Sequence, residues 1–191
     1  EIGSGLVGSE MCIRDRGNTT SGFGVDKNGI ENTLYELLLG EAETKDTIVK
    51  DVVENLDLIP SNINLSGAEI ELVGIDDKEF ILKGITDKLR RKYDYIILDC
   101  PPSLNMLTIN ALTAATSVLV PIQCEYYALE GLSQLIHTID LVKERLNKRL
   151  KMEGVVFTMY DARTNLSLQV VENVKAVSYT HLRAHETGAY L

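Results

Sequence analysis

Asp94-Tyr95-Ile96-Ile97-Leu98-Asp99-Cys100-Pro101-Pro102-Ser103 reads as a short buried strand that ends on a carboxylate and runs into a proline-stiffened turn. A carboxylate held among apolar neighbours needs a partner. In open α/β sheets ligands collect beyond the carboxyl ends of the strands, and a lone aspartate there suits the Mg²⁺ that accompanies a bound nucleoside triphosphate. The same residues fit a simpler reading, an aspartate that caps the strand and opens the turn before Pro101. On this segment alone the two readings stand level.

Working outward, the chain has 191 residues of which 45% are apolar, enough for one globular domain with a sizeable core. Charged residues make up 25%, Trp is absent, and no apolar run approaches the length of a membrane span. Cys12, Cys100 and Cys124 lack metal-ligand spacing, and His137, His181 and His185 add no zinc pattern. Reduced thiols in a cytoplasm are the expectation. A net charge of -9 argues against a broadly basic nucleic-acid surface while leaving room for a local phosphate-binding patch.

Strand and helix patterns alternate, as in βαβ units around a parallel sheet. Asn32 or Thr33 can cap a helix that puts Leu34, Leu37 and Leu38 on one face. A second short helix is expected over residues 45–53, then a strand Leu56-Asp57-Leu58-Ile59 stopped by Pro60. Helices follow over 66–73 and 79–92, the latter with Phe80, Ile81, Ile85 and Leu89 inward and Lys88, Arg90 and Arg91 near its end, where cations suit the helix dipole. Beyond the Asp99 strand the pattern predicts a helix over 107–115, a buried strand over 117–121, a long helix over 129–146, a strand over 155–158 and a closing helix over 166–177. The fold class this defines is α/β, a doubly wound and mostly parallel sheet.

Five separated blocks carry a family resemblance: Gly17-Asn18-Thr19-Thr20-Ser21-Gly22, Leu65-Ser66-Gly67-Ala68-Glu69-Ile70-Glu71-Leu72, Asp99-Cys100-Pro101-Pro102-Ser103, Gln123-Cys124-Glu125-Tyr126-Tyr127-Ala128-Leu129-Glu130-Gly131-Leu132 and Thr158-Met159-Tyr160-Asp161-Ala162-Arg163-Thr164-Asn165. In this order they resemble the ParA/Soj chromosome-partitioning ATPases, over about residues 17–177. The resemblance implies a deviant P-loop NTPase fold that uses ATP and Mg²⁺. It also implies a homodimer with two ATP molecules between its subunits, DNA binding without sequence preference, hydrolysis stimulated by a ParB-type partner, and a cytoplasmic, nucleoid-associated location without membrane attachment.

The nucleotide loop of that family is not in this sequence, because no Gly-Lys-Thr or Gly-Lys-Ser occurs. The family also carries Asp-x-Asp-Pro-Gln immediately before its Gly-Asn pair, where this chain reads Cys12-Ile13-Arg14-Asp15-Arg16, so Arg14 replaces the second aspartate. Gly3-Ser4-Gly5-Leu6-Val7-Gly8 satisfies G-x-G-x-x-G, but only Glu1 and Ile2 precede it and no clear amphipathic helix follows, so it is not read as a dinucleotide site. Residues 1–16 and 178–191 resemble translated sequencing-adaptor readthrough. The expected organisation is a non-native leader (1–16), a partial ParA-type ATPase domain (17–177) and a non-native tail (178–191), a fragment incomplete at both ends and inactive by itself.

The resemblance implies a role for each matching position. Asp99 corresponds to the Walker B carboxylate, catalytic and holding Mg²⁺ through a water. Gly17, Asn18, Pro101 and Met159 correspond to nucleotide-binding positions, Arg163 to a DNA-contacting arginine, and Glu125, Tyr126 and Tyr127 to a dimer interface. Plainer readings stand beside these: turn formation for Gly17 and Asn18, stiffening for Pro101 and Pro102, core packing for Met159 and helix packing for Tyr126, Tyr127 and Leu129. Asp161 and Arg163 can pair with each other, and Lys143, Arg145, Lys148, Arg149 and Lys151 fit a solvated helix face. Two other functions remain open, a MinD-type membrane-associated division-site ATPase and a non-catalytic interaction domain on the same fold.

Overall fold

The computed structural model describes residues 8–12, 17–26, 29–100, 105–124 and 128–182. The chain divides into two compact units, residues 1–115 and 116–191, each with its own sheet.

The first unit contains β1 (Gly8–Cys12), α1 (Asn18–Gly22), α2 (Leu34–Leu39), α3 (Thr44–Thr47), β2 (Val49–Val53), β3 (Leu56–Ile59), α4 (Leu65–Glu71), α5 (Ile81–Leu89), β4 (Tyr95–Asp99) and α6 (Met106–Ala114). Its four strands lie in the order β2-β3-β1-β4, with β1 parallel to both neighbours and β2 antiparallel to β3. The second unit contains β5 (Ser117–Gln123), α7 (Ala128–Arg145), β6 (Lys151–Thr158) and α8 (Asn165–Leu182), with β5 and β6 parallel.

Local signals start the helices where the sequence places them. Thr33 caps α2 in a full capping box: its hydroxyl accepts from Tyr35 N at 3.3 Å and its own N–H donates to Glu36 Oε2 at 2.7 Å. The Tyr35 hydroxyl donates to Glu71 at 2.6 Å, tying α2 to α4 and pushing the phenol up to about 12. Asn105 caps α6 by accepting from Thr108 N at 3.0 Å. Inside α6, the buried Asn110 accepts from Leu82 N at 3.1 Å and donates to Lys78 O at 2.8 Å, fastening α5 to α6. At the end of α5, Arg90 goes further than a dipole interaction and donates to Ala114 O at 3.1 Å.

The first core packs Leu34, Leu38, Leu65, Leu72, Leu82 and Leu107 against Ile59, with Ile96 and Leu98 of β4 alongside. Tyr95 and Ile97 alternate to the other face and are 59% and 55% exposed, so β4 is half-buried, not the fully buried strand expected. In the same way Val120 and Ile122 of β5 pack with Leu132, Ile136, Val170 and Val174, while Leu119 is exposed.

Other expectations are corrected. Residues 49–53 form a strand instead of the second half of a helix, because Val49, Val52 and Val53 are β-branched and Asn55, at φ 63°, turns the chain back into a hairpin with β3. Residues 8–12, within the expected leader, form the central strand β1. α8 continues through residues 178–182, past its expected end.

A polar network fastens the hairpin to the start of β4. Lys50 and the Tyr93 hydroxyl both donate to Asp57 Oδ2, Lys50 also donates to the Tyr93 oxygen at 2.8 Å, and Asp51 N donates to Asp57 Oδ1 at 3.0 Å. Burial pushes the Asp57 carboxyl up, but these donors outweigh it and hold the group below the usual carboxylate value. Its bond to Asp57 raises Lys50, and burial together with its own bond to Asp57 raises Tyr93. The network's contribution is therefore whole at neutral pH. It drains away as pH falls from about 4, where the unfolded carboxyl titrates, toward the lower folded value, and again as pH rises past about 10. Asp57→Ala is expected to lower stability at neutral pH by about 1–3 kcal/mol. In urea denaturation across pH, its deficit relative to wild type should shrink below about pH 4, and a deficit independent of pH would contradict the assignment.

Candidate functional site

Strands β1, β3 and β4 run parallel and end level. Cys12 pairs with Asp99 and Met11 with Ile59, so the loops that leave all three strands emerge at one edge. Such an edge is where α/β sheets bind ligands.

Beyond β1, Gly17 is buried in the left-handed region (φ 58°, ψ 35°) and turns the chain into α1. Two successive threonines of α1 then reach the neighbouring strands on either side. The Thr19 hydroxyl donates to Asp99 Oδ2 at 2.5 Å, across 80 residues of sequence. The Thr20 hydroxyl, fully buried, accepts from Ser61 N at 3.0 Å just beyond β3. Pro60 O in turn accepts from Leu34 N at 2.9 Å, so the exit of β3 is held by both α1 and α2. Asp99 itself is half-buried at the end of β4.

Gly17, Asn18 and Asp99 thus meet at one edge, with Asn18 exposed. Pro101 and the interface candidates Glu125, Tyr126 and Tyr127 lie outside the described residues. In the sequence Thr19 and Thr20 stand out only as part of the Gly17–Gly22 block. Their signal was two adjacent hydroxyls directly behind a glycine hinge, but their partners could not be read without the topology. Among the described residues no group of three or more His, Cys, Asp or Glu side chains converges as a metal cage. Cys100 and Cys124 form no disulfide among the described residues.

Met159 and Arg163 belong to the second unit. Met159 is 81% exposed, with φ 53°, which overturns the core-packing reading: directly after β6 the backbone enters a left-handed conformation and carries the side chain into solvent. Arg163 forms the internal pair that the sequence allowed. Its Nε lies 2.9 Å from Asp161 Oδ1, its Nη2 2.8 Å from Asp161 Oδ2, and its backbone N–H donates to Asp161 Oδ1 at 2.9 Å. The Arg163 guanidinium and N–H hold the Asp161 carboxyl below its usual range. The turn is locked onto α8, where Thr164 Oγ1 lies 2.8 Å from Ser167 Oγ and Thr164 N donates to Asp161 O at 3.1 Å. Lys143 and Lys148 are exposed among Asp140 and Glu144, as a solvated helix face of mixed charge requires.

The family profile described as AAA domain matches residues 13–152. Cobyrinic acid a,c-diamide synthase of Mycobacterium smegmatis, whose crystal structure holds an ATP analog and magnesium, is similar at TM-score 0.85 and 38% identity over 90% of this chain and 70% of that one. A plasmid partition protein from Borrelia burgdorferi gives TM-score 0.75 at 27% identity, over 88% of this chain and 72% of that one. The fold is that of the α/β P-loop NTPases of ParA/MinD type. Among curated relatives, the sporulation initiation inhibitor protein Soj of Bacillus subtilis is 55% identical over 172 residues, 88% of this chain and 68% of Soj. The chromosome partitioning protein ParA of Myxococcus xanthus is 52% identical over 160 residues, 84% of this chain and 56% of that protein. The chain belongs to the ParA/Soj family of chromosome-partitioning ATPases. It spans 68% and 56% of the length of these two relatives.

The geometry makes Gly17 hard to replace. Gly17→Ala is expected to destabilise the fold by about 1–2 kcal/mol, the cost of a Cβ in the left-handed region. The check is a lower midpoint at unchanged slope in urea denaturation; an unchanged midpoint would show that the turn relaxes freely.

Proposed function

We propose that this chain is part of an ATP-dependent partitioning protein in which Asp99 lies on the magnesium side of a nucleotide site. The observation that carries the reading is the meeting of Asp99 with the Gly17-Asn18 turn at the carboxyl edge of β1, β3 and β4. Residues 17–177 are then a partial ATPase domain, to whose sheet residues 8–12 add the central strand and whose last helix runs on to residue 182.

The donor set suits ATP with Mg²⁺. A site with one carboxylate and no acidic cage among the described residues matches a cation that takes its other oxygens from phosphates and water. When bound, the cation supplies neutralisation of phosphate charge. Asp99 accepts one hydrogen bond from Thr19 on Oδ2 and, as a carboxylate, has capacity for further donors such as a metal-bound water. Gly17 and Asn18 present their turn beside it, and the family resemblance adds Pro101 as a nucleotide-binding position. The family resemblance assigns Met159, exposed at φ 53°, to a nucleotide-binding position, and strained backbone of this kind gathers at ligand sites.

The remaining roles follow the family. Glu125, Tyr126 and Tyr127 contribute to an ATP-dependent homodimer, Arg163 contacts DNA phosphate without reading sequence, a ParB-type protein stimulates hydrolysis, and the protein works in the cytoplasm at the nucleoid. Solvent screens an exposed ion pair and leaves it weak, so exchanging Asp161 for a phosphate costs Arg163 little.

Because the sequence contains no Gly-Lys-Thr or Gly-Lys-Ser, the 191-residue chain is expected to show no ATP turnover above background in a phosphate-release assay. Turnover abolished by Asp99→Ala would overturn the view that the phosphate loop is indispensable. In the complete protein, Arg163→Ala should weaken retention of plasmid DNA and flatten its salt dependence while ATP binding is kept. Equal retention across a salt series would remove Arg163 from the DNA surface.

A further inference from the structure

We infer that Thr19 is a positioning residue for Asp99: its hydroxyl selects the orientation in which the carboxylate faces the nucleotide site. The inference rests on the reading of Asp99 given above and adds to it a residue outside the glycine-asparagine pair and the strand-end carboxylate.

An aspartate side chain at a strand end can occupy more than one of the staggered rotamers about its first torsion. A hydroxyl at 2.5 Å from Oδ2 is a short, charge-assisted donor, and it holds the carboxylate in the rotamer that reaches α1. The other oxygen is then presented away from that bond. Thr19 is itself well placed to hold still. Its β-branched side chain is stiff, and the next residue, Thr20, is buried and tied to Ser61 N at 3.0 Å. The two threonines therefore form a clip: Thr20 anchors α1 to the exit of β3, and Thr19 uses that anchor to orient the carboxylate at the exit of β4. A Thr hydroxyl in a helix commonly turns back to a carbonyl in the preceding turn. At Thr19 it spans instead to a residue 80 positions away, so the bond links the Gly17-Asn18 turn directly to Asp99.

The test separates the hydroxyl from the shape of the side chain. Thr19→Val keeps the branched shape and removes the donor, whereas Thr19→Ser keeps the donor. In the 191-residue chain, three-bond couplings to the Asp99 side-chain carboxyl carbon should report one rotamer in wild type and Thr19→Ser and averaged rotamers in Thr19→Val. Slow exchange of the Ser61 amide in all three would show that the clip to β3 is intact. A single unchanged rotamer in Thr19→Val would overturn the proposal, and should that variant fail to fold, Thr19→Ala carries the same expectation. In the complete protein, Thr19→Val should lower kcat by about tenfold with KM little changed, as expected when a reacting group is misplaced, and Thr19→Ser should recover most of it. Unchanged kcat in Thr19→Val would remove the functional consequence. Turnover that survives Asp99→Asn would instead sink the underlying reading of Asp99, an outcome distinct from the rotamer result.

Discussion

Three parallel strands that stop at the same level leave their loops no choice but to meet. A parallel pair cannot be closed by a tight turn, so each crossover must travel across a face of the sheet and return. Every strand therefore delivers its carboxyl end to the same edge. Here β1 pairs with β3 on one side and β4 on the other, with Cys12 opposite Asp99 and Met11 opposite Ile59. That register alone brings Gly17 and Asp99 into one neighbourhood. The hydroxyls of Thr19 and Thr20 then convert neighbourhood into fixed geometry, one bond to each flanking strand exit. A hydrogen bond to a charged group is worth about 1.5–3 kcal/mol, enough to choose among side-chain orientations that differ by less.

What the sequence made legible was mostly what local chemistry decides. Thr33 followed by Glu36 announces a helix start, and Leu34, Leu37 and Leu38 announce its buried face, because capping and 3.6-residue spacing act within one turn. Pro60 marks the end of β3 for the same reason. The readings that failed were those settled at a distance. Val49, Val52 and Val53 spaced around Lys50 and Asp51 can be written on a helix, and pairing with β3 decides against it. Gly8-Ser9-Glu10-Met11-Cys12 shows no alternation at all, and becomes a strand because two neighbours supply its ladder. Asp57 looked like an ordinary strand residue. Its partners Lys50 and Tyr93 lie 7 and 36 residues away, so the network exists only once the hairpin has closed.

The candidate site divides along the same line. Asp99 was visible because an acid after an apolar run is unusual in itself, and Gly17 because it opens a block that resembles the family's Gly-Asn pair. Thr19 was not visible, since nothing local names its acceptor. Met159 shows the converse error. A methionine at a strand end is read as core by composition, yet a single left-handed residue redirects it to 81% exposure. Arg163 was open between two partners in the sequence, and in the structure Asp161 holds it.

The hairpin β2–β3 has a consequence for how copies of this chain behave toward one another. β2 is the last strand on its side of the four-stranded sheet, and its register with β3 is interrupted between Val49 and Val53, with Asp51 at φ 51°. An edge bent in this way, and carrying exposed Lys50 and Asp51, offers an incoming strand neither a straight ladder nor an uncharged surface. The irregularity that masks β2 in the sequence thus makes this edge a poor template for an added strand.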